Sequence, residues 1–209
     1  MTDGIREALL PELEVSRETT ERLDTLLLRV AHWTKKINLV SRDPVGDLRA
    51  RHLLDSAQLF PFARPQDRLW VDIGSGGGFP GLVIAILAHE LHPNLNVVLV
   101  ESDRRKATFL RMISAEMRLR VTVHATRIEE VPPMGADVVS ARALAALDML
   151  LGIAHTHLAP GGMALFLKGE TYPQEIATAR KTWHFDVEDV RSVTLDRAAV
   201  LKIKDVRRA

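Results

Sequence analysis

The sequence predicts an α/β fold: a mostly parallel seven-stranded sheet with helices on both faces, ending in an antiparallel hairpin and preceded by an N-terminal helical cap. Three observations carry this. From Arg68 onward short β-branched runs alternate with helix-length stretches, the pattern of strands joined by helical crossovers. Five glycines (74, 76, 77, 78 and 81) sit between an apolar strand-like run and an apolar helix-like run in V-D-I-G-S-G-G-G-F-P-G-L-V-I-A-I at 71–86. The last two β-runs, H-F-D-V-E-D-V-R-S-V-T-L and A-V-L-K-I-K, are separated only by Asp196, Arg197 and Ala198. That is too short for a parallel crossover, so the pair is antiparallel.

Taken in order, Ile5, Leu9, Leu10 and Leu13 keep helical spacing. So do Leu23, Leu26, Leu27, Val30, Trp33 and Ile37, with Ser16 among the candidate N-caps. A third helix is expected over 47–60, stopping before Pro61. Strands are expected at L-W-V-D-I, N-V-V-L-V-E, V-T-V-H-A, A-D-V-V-S-A and M-A-L-F-L-K, with helices over 80–91, 103–117 and 143–158. The cap is drawn as residues 1–65 and the core as 66–209, both parts of one unit.

At 209 residues, 46% hydrophobic and 26% charged, the chain suits a globular protein with one core. It has no cysteine, which removes disulfides, thiolate metal sites and a cysteine nucleophile, and suits a cytoplasmic protein. The N-terminus is polar and acidic, so no signal peptide is expected, and no apolar run reaches the ~20 residues of a membrane span. Net charge is +1, but its distribution is uneven. Residues 1–28 carry seven acids and three bases, whereas 29–64 carry seven bases and three acids. A basic segment ahead of the glycine loop can meet phosphates or simply be a solvated surface.

The glycines also fit the letters of a dinucleotide fingerprint, in which the first follows the strand directly and the third lets helix and strand pack closely. Since the strand runs straight into Gly74, the second glycine is Gly76 and the third position is Phe79. The alternative match, Gly76 to Gly81, needs two extra residues and puts Pro80, without an N–H, at the helix start. Glu101, ending the next strand, is placed to accept the hydroxyl protons of an adenosine ribose. Asp72 disfavours a pyrophosphate and favours a cationic ligand, or else ties down backbone N–H groups of the loop. The balance favours S-adenosylmethionine over NAD.

The pattern D-I-G-S-G-G-G-F-P-G resembles motif I of class I S-adenosylmethionine methyltransferases, with their Rossmann-like sheet. More narrowly, the chain resembles the glucose-inhibited division protein B family, the small-subunit rRNA methyltransferases G. The matching words are W-T-K-K-I-N-L-V-S at 33–41, R-H-L-L-D-S at 51–56, the glycine loop at 72–81 and V-E-S-D-R-R-K-A-T-F-L-R at 100–111. They continue with R-I-E-E at 127–130, S-A-R-A at 140–143 and L-K-G at 167–169. The resemblance implies methylation of a guanine N7 in 16S rRNA, with S-adenosylmethionine as cofactor. Its cofactor contacts fall on Gly74, Gly76 and Phe79, on Glu101, on Ile128 and Glu129 beside the adenine, and on Arg142, with Asp72 and Gly78 completing the loop.

The fourth strand ends in Ser140-Ala141-Arg142-Ala143, without the [N/D]-P-P-[Y/F] motif that grips an exocyclic amine. A guanine N7 needs no deprotonation, so no catalytic base is assigned and alignment carries the rate. Candidate RNA contacts are Lys35, Lys36, Arg49, Arg51 and His52 ahead of the core, Arg104, Arg105 and Lys106 after Glu101, and Lys168. Arg142 and Lys168 are also candidates for the cofactor carboxylate, and His52 for a structural role. No metal is proposed. A cytoplasmic monomer acting on 16S rRNA, or on the 30S subunit or an assembly intermediate, is expected. The alternatives are an NAD-dependent oxidoreductase and a non-catalytic S-adenosylmethionine- or RNA-binding protein.

Overall fold

The computed structural model describes residues 13–40 and 49–209, so most of the helix expected around residues 5–13 lies outside the described residues. Helix α1 (Arg17–Ile37) opens at Ser16, whose hydroxyl accepts from the Thr19 N–H at 3.2 Å, and closes at Asn38 in the left-handed region. Its buried stripe, Leu23, Leu26, Leu27 and Val30, keeps the spacing of one helical face. That stripe shares one apolar cluster with Ile84, Leu87 and Phe109. The cap helix therefore packs directly on the core, and Glu90 fastens its start by accepting from Ser16 N and Oγ at 3.0 and 2.9 Å.

The single helix expected over 47–60 is instead three short pieces. A π-helical turn (Arg49–Leu54) leads into α2 (Asp55–Ala57), and a 3₁₀ turn (Phe60–Phe62) follows. Local side chains compete for its carbonyls: Ser56 donates to the His52 carbonyl and Gln58 to that of Asp55. Pro61 lies within the 3₁₀ turn, not after a helix end.

The sheet comprises β1 (Leu69–Ile73), β2 (Asn96–Val100), β3 (Val121–His124), β4 (Ala136–Arg142), β5 (Leu158–Lys168), β6 (Trp183–Arg191) and β7 (Ala199–Arg208), in the order β3-β2-β1-β4-β5-β7-β6. The first five are mutually parallel; β7 runs antiparallel between β5 and β6. Strand β1 is buried from Trp70 to Ile73, as a parallel strand covered on both faces must be. One face meets α1, α3 (Gly81–Leu91) and α4 (Arg104–Glu116); the other meets α5 (Leu147–His157).

Three further differences bear on the site. Helix α5 starts four residues later than expected, because Ala143 has φ +49° and breaks the helical path. Helix α6 (Tyr172–Ala179) was not anticipated. The β6–β7 connection spans 192–198, longer than the three residues read from the sequence. Among the described residues no helix is long and apolar enough to cross a membrane.

Candidate functional site: two cavities at the strand ends

Strand order reverses between β1 and β4, the place where open α/β sheets bind ligands beyond their carboxyl ends. Two cavities lie there. The first, about 220 Å³, is lined by Ile73, Gly74, Ile128, Glu129, Leu144 and Met149 among others. The second, about 470 Å³, is lined by His52, Asp55, Arg142, Lys168, Glu175 and Leu195 among others.

The glycine loop is built by backbone geometry that side chains resist. Gly74, Gly76 and Gly78 have φ of +66°, +53° and +94°. Gly76 donates its N–H to Glu101 Oε2 at 2.8 Å, and Glu101 Oε1 accepts from Asp103 N at 2.8 Å. Asp103 in turn caps α4 by accepting from Arg105 N at 2.8 Å. Glu101 thus ties the loop to the next helix start, and its chain neighbours Val100 and Ser102 line the first cavity.

The close helix–strand approach falls on Gly81. A Cβ there would stand 2.2 Å from Leu99 Cδ2 and 2.7 Å from Asp72 Oδ2. A glycine does fill the packing role, but two positions beyond Phe79, so the loop is longer than a dinucleotide turn. Phe79 is buried, stacked on His52 with ring centroids 5.2 Å apart and with the Arg142 guanidinium 5.8 Å from its ring centroid. Gly78 faces Leu82, whose Cδ1 would lie 2.5 Å from a Cβ.

Asp72 lies beneath the loop. Its Oδ1 accepts from Ser140 Oγ at 2.7 Å and its Oδ2 from Gly81 N at 3.1 Å, while Trp70 Nε1 donates to Ser140 Oγ at 2.9 Å. Burial pushes its carboxyl up to about 6, against the opposing pull of Ser140, Ser75, Gly81 and Arg142.

Of the expected cofactor residues, the first cavity brings together Gly74, buried Ile128 and exposed Glu129, with Gly76 and Glu101 linked beside them. Arg142 is assigned elsewhere: it lines the second cavity, 3.9 Å from Asp55 Oδ2. Burial lowers the Arg142 pKa, opposed by the charges of Asp55 and Asp72. Lys168 turns inward, donating to the Ala145 carbonyl at 2.9 Å and pairing with Glu175 at 2.6 Å. Glu175 also accepts from Leu147 N at 2.9 Å. These bonds hold the β4–α5 loop, whose Leu144 lies against Gly74 in the wall of the first cavity.

Lys35 and Lys36 are exposed at the end of α1, with Lys36 5.3 Å from the Trp33 ring centroid. Arg104 and Arg105 are exposed and Lys106 half-buried at the start of α4; Arg105 pairs with Asp103 at 3.3 Å. Arg49 and Arg51 fall in the π-helical turn, outside the described side chains. Asp55, Glu175 and Leu144 were not singled out from the sequence. Asp55 stood in the quoted word R-H-L-L-D-S, yet no spacing rule marks it as facing a cavity.

A family model described as rRNA small subunit methyltransferase G matches residues 19–201. A protein of that name from Cereibacter sphaeroides is 50% identical, over 96% of this chain and 97% of its own length. One from Ruegeria sp. is 51% identical, over 94% of this chain and 96% of its own. Among solved structures, an O-methyltransferase from Bacillus cereus in complex with SAH aligns with TM-score 0.62 at 14% identity, covering 98% of this chain and 100% of that one. The O-methyltransferase TomG from Streptomyces achromogenes, in complex with SAM, aligns with TM-score 0.58 at 15% identity, covering 93% of each. At such identities the structural likeness speaks for the fold alone. With half its residues shared over nearly the full length of both chains, this chain belongs to the rRNA small subunit methyltransferase G family.

Proposed function

We propose that this rRNA methyltransferase uses the first cavity for S-adenosylmethionine and the second for the acceptor base, a guanine of 16S rRNA methylated at N7. The observation that carries the reading is the pair of cavities at the strand ends, one lined by Gly74, Ile128 and Leu144, the other carrying the charged side chains of Asp55, Arg142, Lys168 and Glu175. S-adenosylmethionine, when bound, supplies an electrophilic methyl group on a sulfonium.

The residues of the first cavity fit it. Ile73, Ile128, Met149 and Ile153 suit a flat heteroaromatic ring, and Glu101, between the lining residues Val100 and Ser102, suits ribose hydroxyls. At Gly76 the nearest atom to an added Cβ is 3.7 Å away, so the loop backbone is open to a ligand there. Glu101 and Glu129 on one rim disfavour a diphosphate. In this reading Gly74, Gly76, Glu101, Ile128 and Glu129 hold the cofactor directly. Asp72, Gly78 and Phe79 shape the loop from behind.

The acceptor reaction needs no base, because guanine N7 carries its lone pair outside the ring's π system. The protein's work is alignment: the glycine loop and the Lys168-clamped β4–α5 loop fix the two cavities relative to one another. Lys35, Lys36, Arg51, Arg104 and Lys106 position RNA phosphates, and the enzyme acts as a monomer on rRNA or a 30S particle.

The test pairs binding with mapping. Titration with S-adenosylhomocysteine and NADH should give binding of the former alone. Labelled methyl groups should then map to a guanine N7 of 16S rRNA, with a single-turnover rate flat from about pH 6 to 9. NADH binding in the first cavity, or label on an exocyclic amine, overturns the reading; a rate rising log-linearly with pH overturns the claim that no base acts.

A further inference from the structure

The wall of the second cavity carries a buried carboxylate beside a guanidinium. Asp55 is 7% exposed, and its two oxygens are used differently. Oδ1 accepts from Gln58 Nε2 at 2.8 Å and from Thr194 Oγ1 at 2.9 Å. Oδ2 stands 3.9 Å from Arg142 Nη1, beyond hydrogen-bond range, and both side chains line the cavity. Each is braced from behind. Gln58 Oε1 accepts from Val193 N at 3.1 Å, so the β6–β7 loop locks Asp55 in place, and Arg142 lies over the Phe79 ring. The cavity wall therefore presents a guanidinium donor and a carboxylate acceptor side by side, slightly spread.

The complement of that pair is a base edge with an acceptor next to a donor. Guanine offers it at O6 and N1–H, and uracil at O4 and N3–H. Adenine and cytosine also carry a donor beside an acceptor, but with N7 aimed at the first cavity adenine sets its amino donor, not an acceptor, next to the methyl, and cytosine has no N7 to aim. Of the two matching bases only guanine has a ring nitrogen with an in-plane lone pair left to receive a methyl group. From this geometry, and resting on the guanine-N7 reading above, we infer that Arg142 and Asp55 read the acceptor base, Arg142 donating to O6 and Asp55 Oδ2 accepting from N1–H. The contact also favours the reaction. As N7 takes the methyl, its lone pair becomes the new N–C bond, the sulfur keeps the electrons of the broken S–C bond, and the base turns cationic. Its N1–H becomes more acidic, so the bond to Asp55 is stronger in the transition state than in the ground state.

The test uses an RNA in which the target guanosine is replaced by 2-aminopurine. This base keeps N7 but lacks O6 and N1–H, and it offers a lone pair at N1. Wild-type enzyme should lose about 100-fold in kcat/KM on it, the scale of a lost bidentate base contact. Asp55→Asn can aim its amide N–H at that lone pair. It should therefore lose about 100-fold on guanosine and shift the 2-aminopurine-to-guanosine ratio upward by at least about 100-fold, with S-adenosylhomocysteine affinity within about twofold of wild type. Equilibrium binding of the two RNAs with S-adenosylhomocysteine present should shift in the same direction.

A ratio unchanged between wild type and Asp55→Asn overturns the proposal. So does wild-type enzyme that methylates the 2-aminopurine RNA within about threefold of guanosine, a comparison that stands even where the variant fails to fold. Wild-type enzyme that leaves the guanosine RNA without an N7 methyl refutes the parent reading instead, so the two failures are distinct.

Discussion

Asp72 should make the protein lose stability as the pH rises, and Asp72→Asn should remove that loss. The carboxylate is fully buried and accepts from Ser140 Oγ and Gly81 N, while the Ser75 hydroxyl donates to the Asp72 backbone carbonyl. Burial raises its pKa from 3.8 to about 6 in the folded state. The folded protein therefore binds this proton more tightly than the unfolded chain. The stability it brings is full below about pH 3.8 and is lost as the pH climbs through about 6. Across the whole titration the loss is about 3 kcal/mol, at 1.36 kcal/mol per unit. Between pH 5 and 8 it is about 1.4 kcal/mol. The asparagine amide has no such proton, and its altered hydrogen bond to Ser140 adds an offset that does not vary with pH. The assay is urea unfolding of both proteins at pH 5 and pH 8. The stability of wild type minus that of the variant should fall by about 1.4 kcal/mol between the two. Other titrating groups cancel in this difference. A difference that stays level, or rises with pH, refutes the assignment of a raised pKa to Asp72.

Two further outcomes follow from the packing. Gly81→Ala places a methyl group against Leu99 and the immobile Asp72 carboxylate. It should lower stability by about 1–3 kcal/mol with an unchanged urea m value and weaken S-adenosylhomocysteine binding through the displaced loop; wild-type behaviour in both counts against the close approach. His157, 2% exposed in the last turn of α5, has its pKa lowered by burial and its Nδ1 without a hydrogen-bond partner. Its neutral form is the folded one, so the stability of wild type minus that of His157→Leu should fall as pH drops below about 6.5; a difference that stays level or rises on acidification would contradict this.

The elements that position the site were legible where one physical cause dominates. Strands β1 to β4 and helices α3 and α4 follow from β-branched runs, the helix-length stretches between them and the glycines between strand and helix. Periodicity failed where side chains compete with the backbone. Between 47 and 60 the apolar spacing is helical, yet Ser56, Gln58 and Pro61 divide the segment. Helix α6, with Pro173 in its first turn and only Ala179 fully buried, carries too short an apolar stripe to read. The site was legible in its backbone and less so in its side chains. Gly74 and Gly76 turn the backbone through positive φ directly after β1, and Glu101 directly follows β2, as the loop pattern requires. The destinations of Lys168 and Arg142 depend on Glu175 and Asp55, partners 7 and 87 residues away in the chain. No local pattern encodes those pairings.

The placement of β7 between β5 and β6 imposes an order on assembly. Among the described residues strand β6 pairs with β7 alone, so it has no seat in the sheet until the ribosome has released β7. The slot lined by residues 73–153 needs neither strand. The larger chamber borrows Ser192, Leu195, Ala198 and Ala199 from the hairpin that arrives afterwards. A nascent chain can thus shape the cavity proposed for the methyl donor before the one proposed to choose what to modify, so on that reading selectivity is the last property the emerging polypeptide acquires.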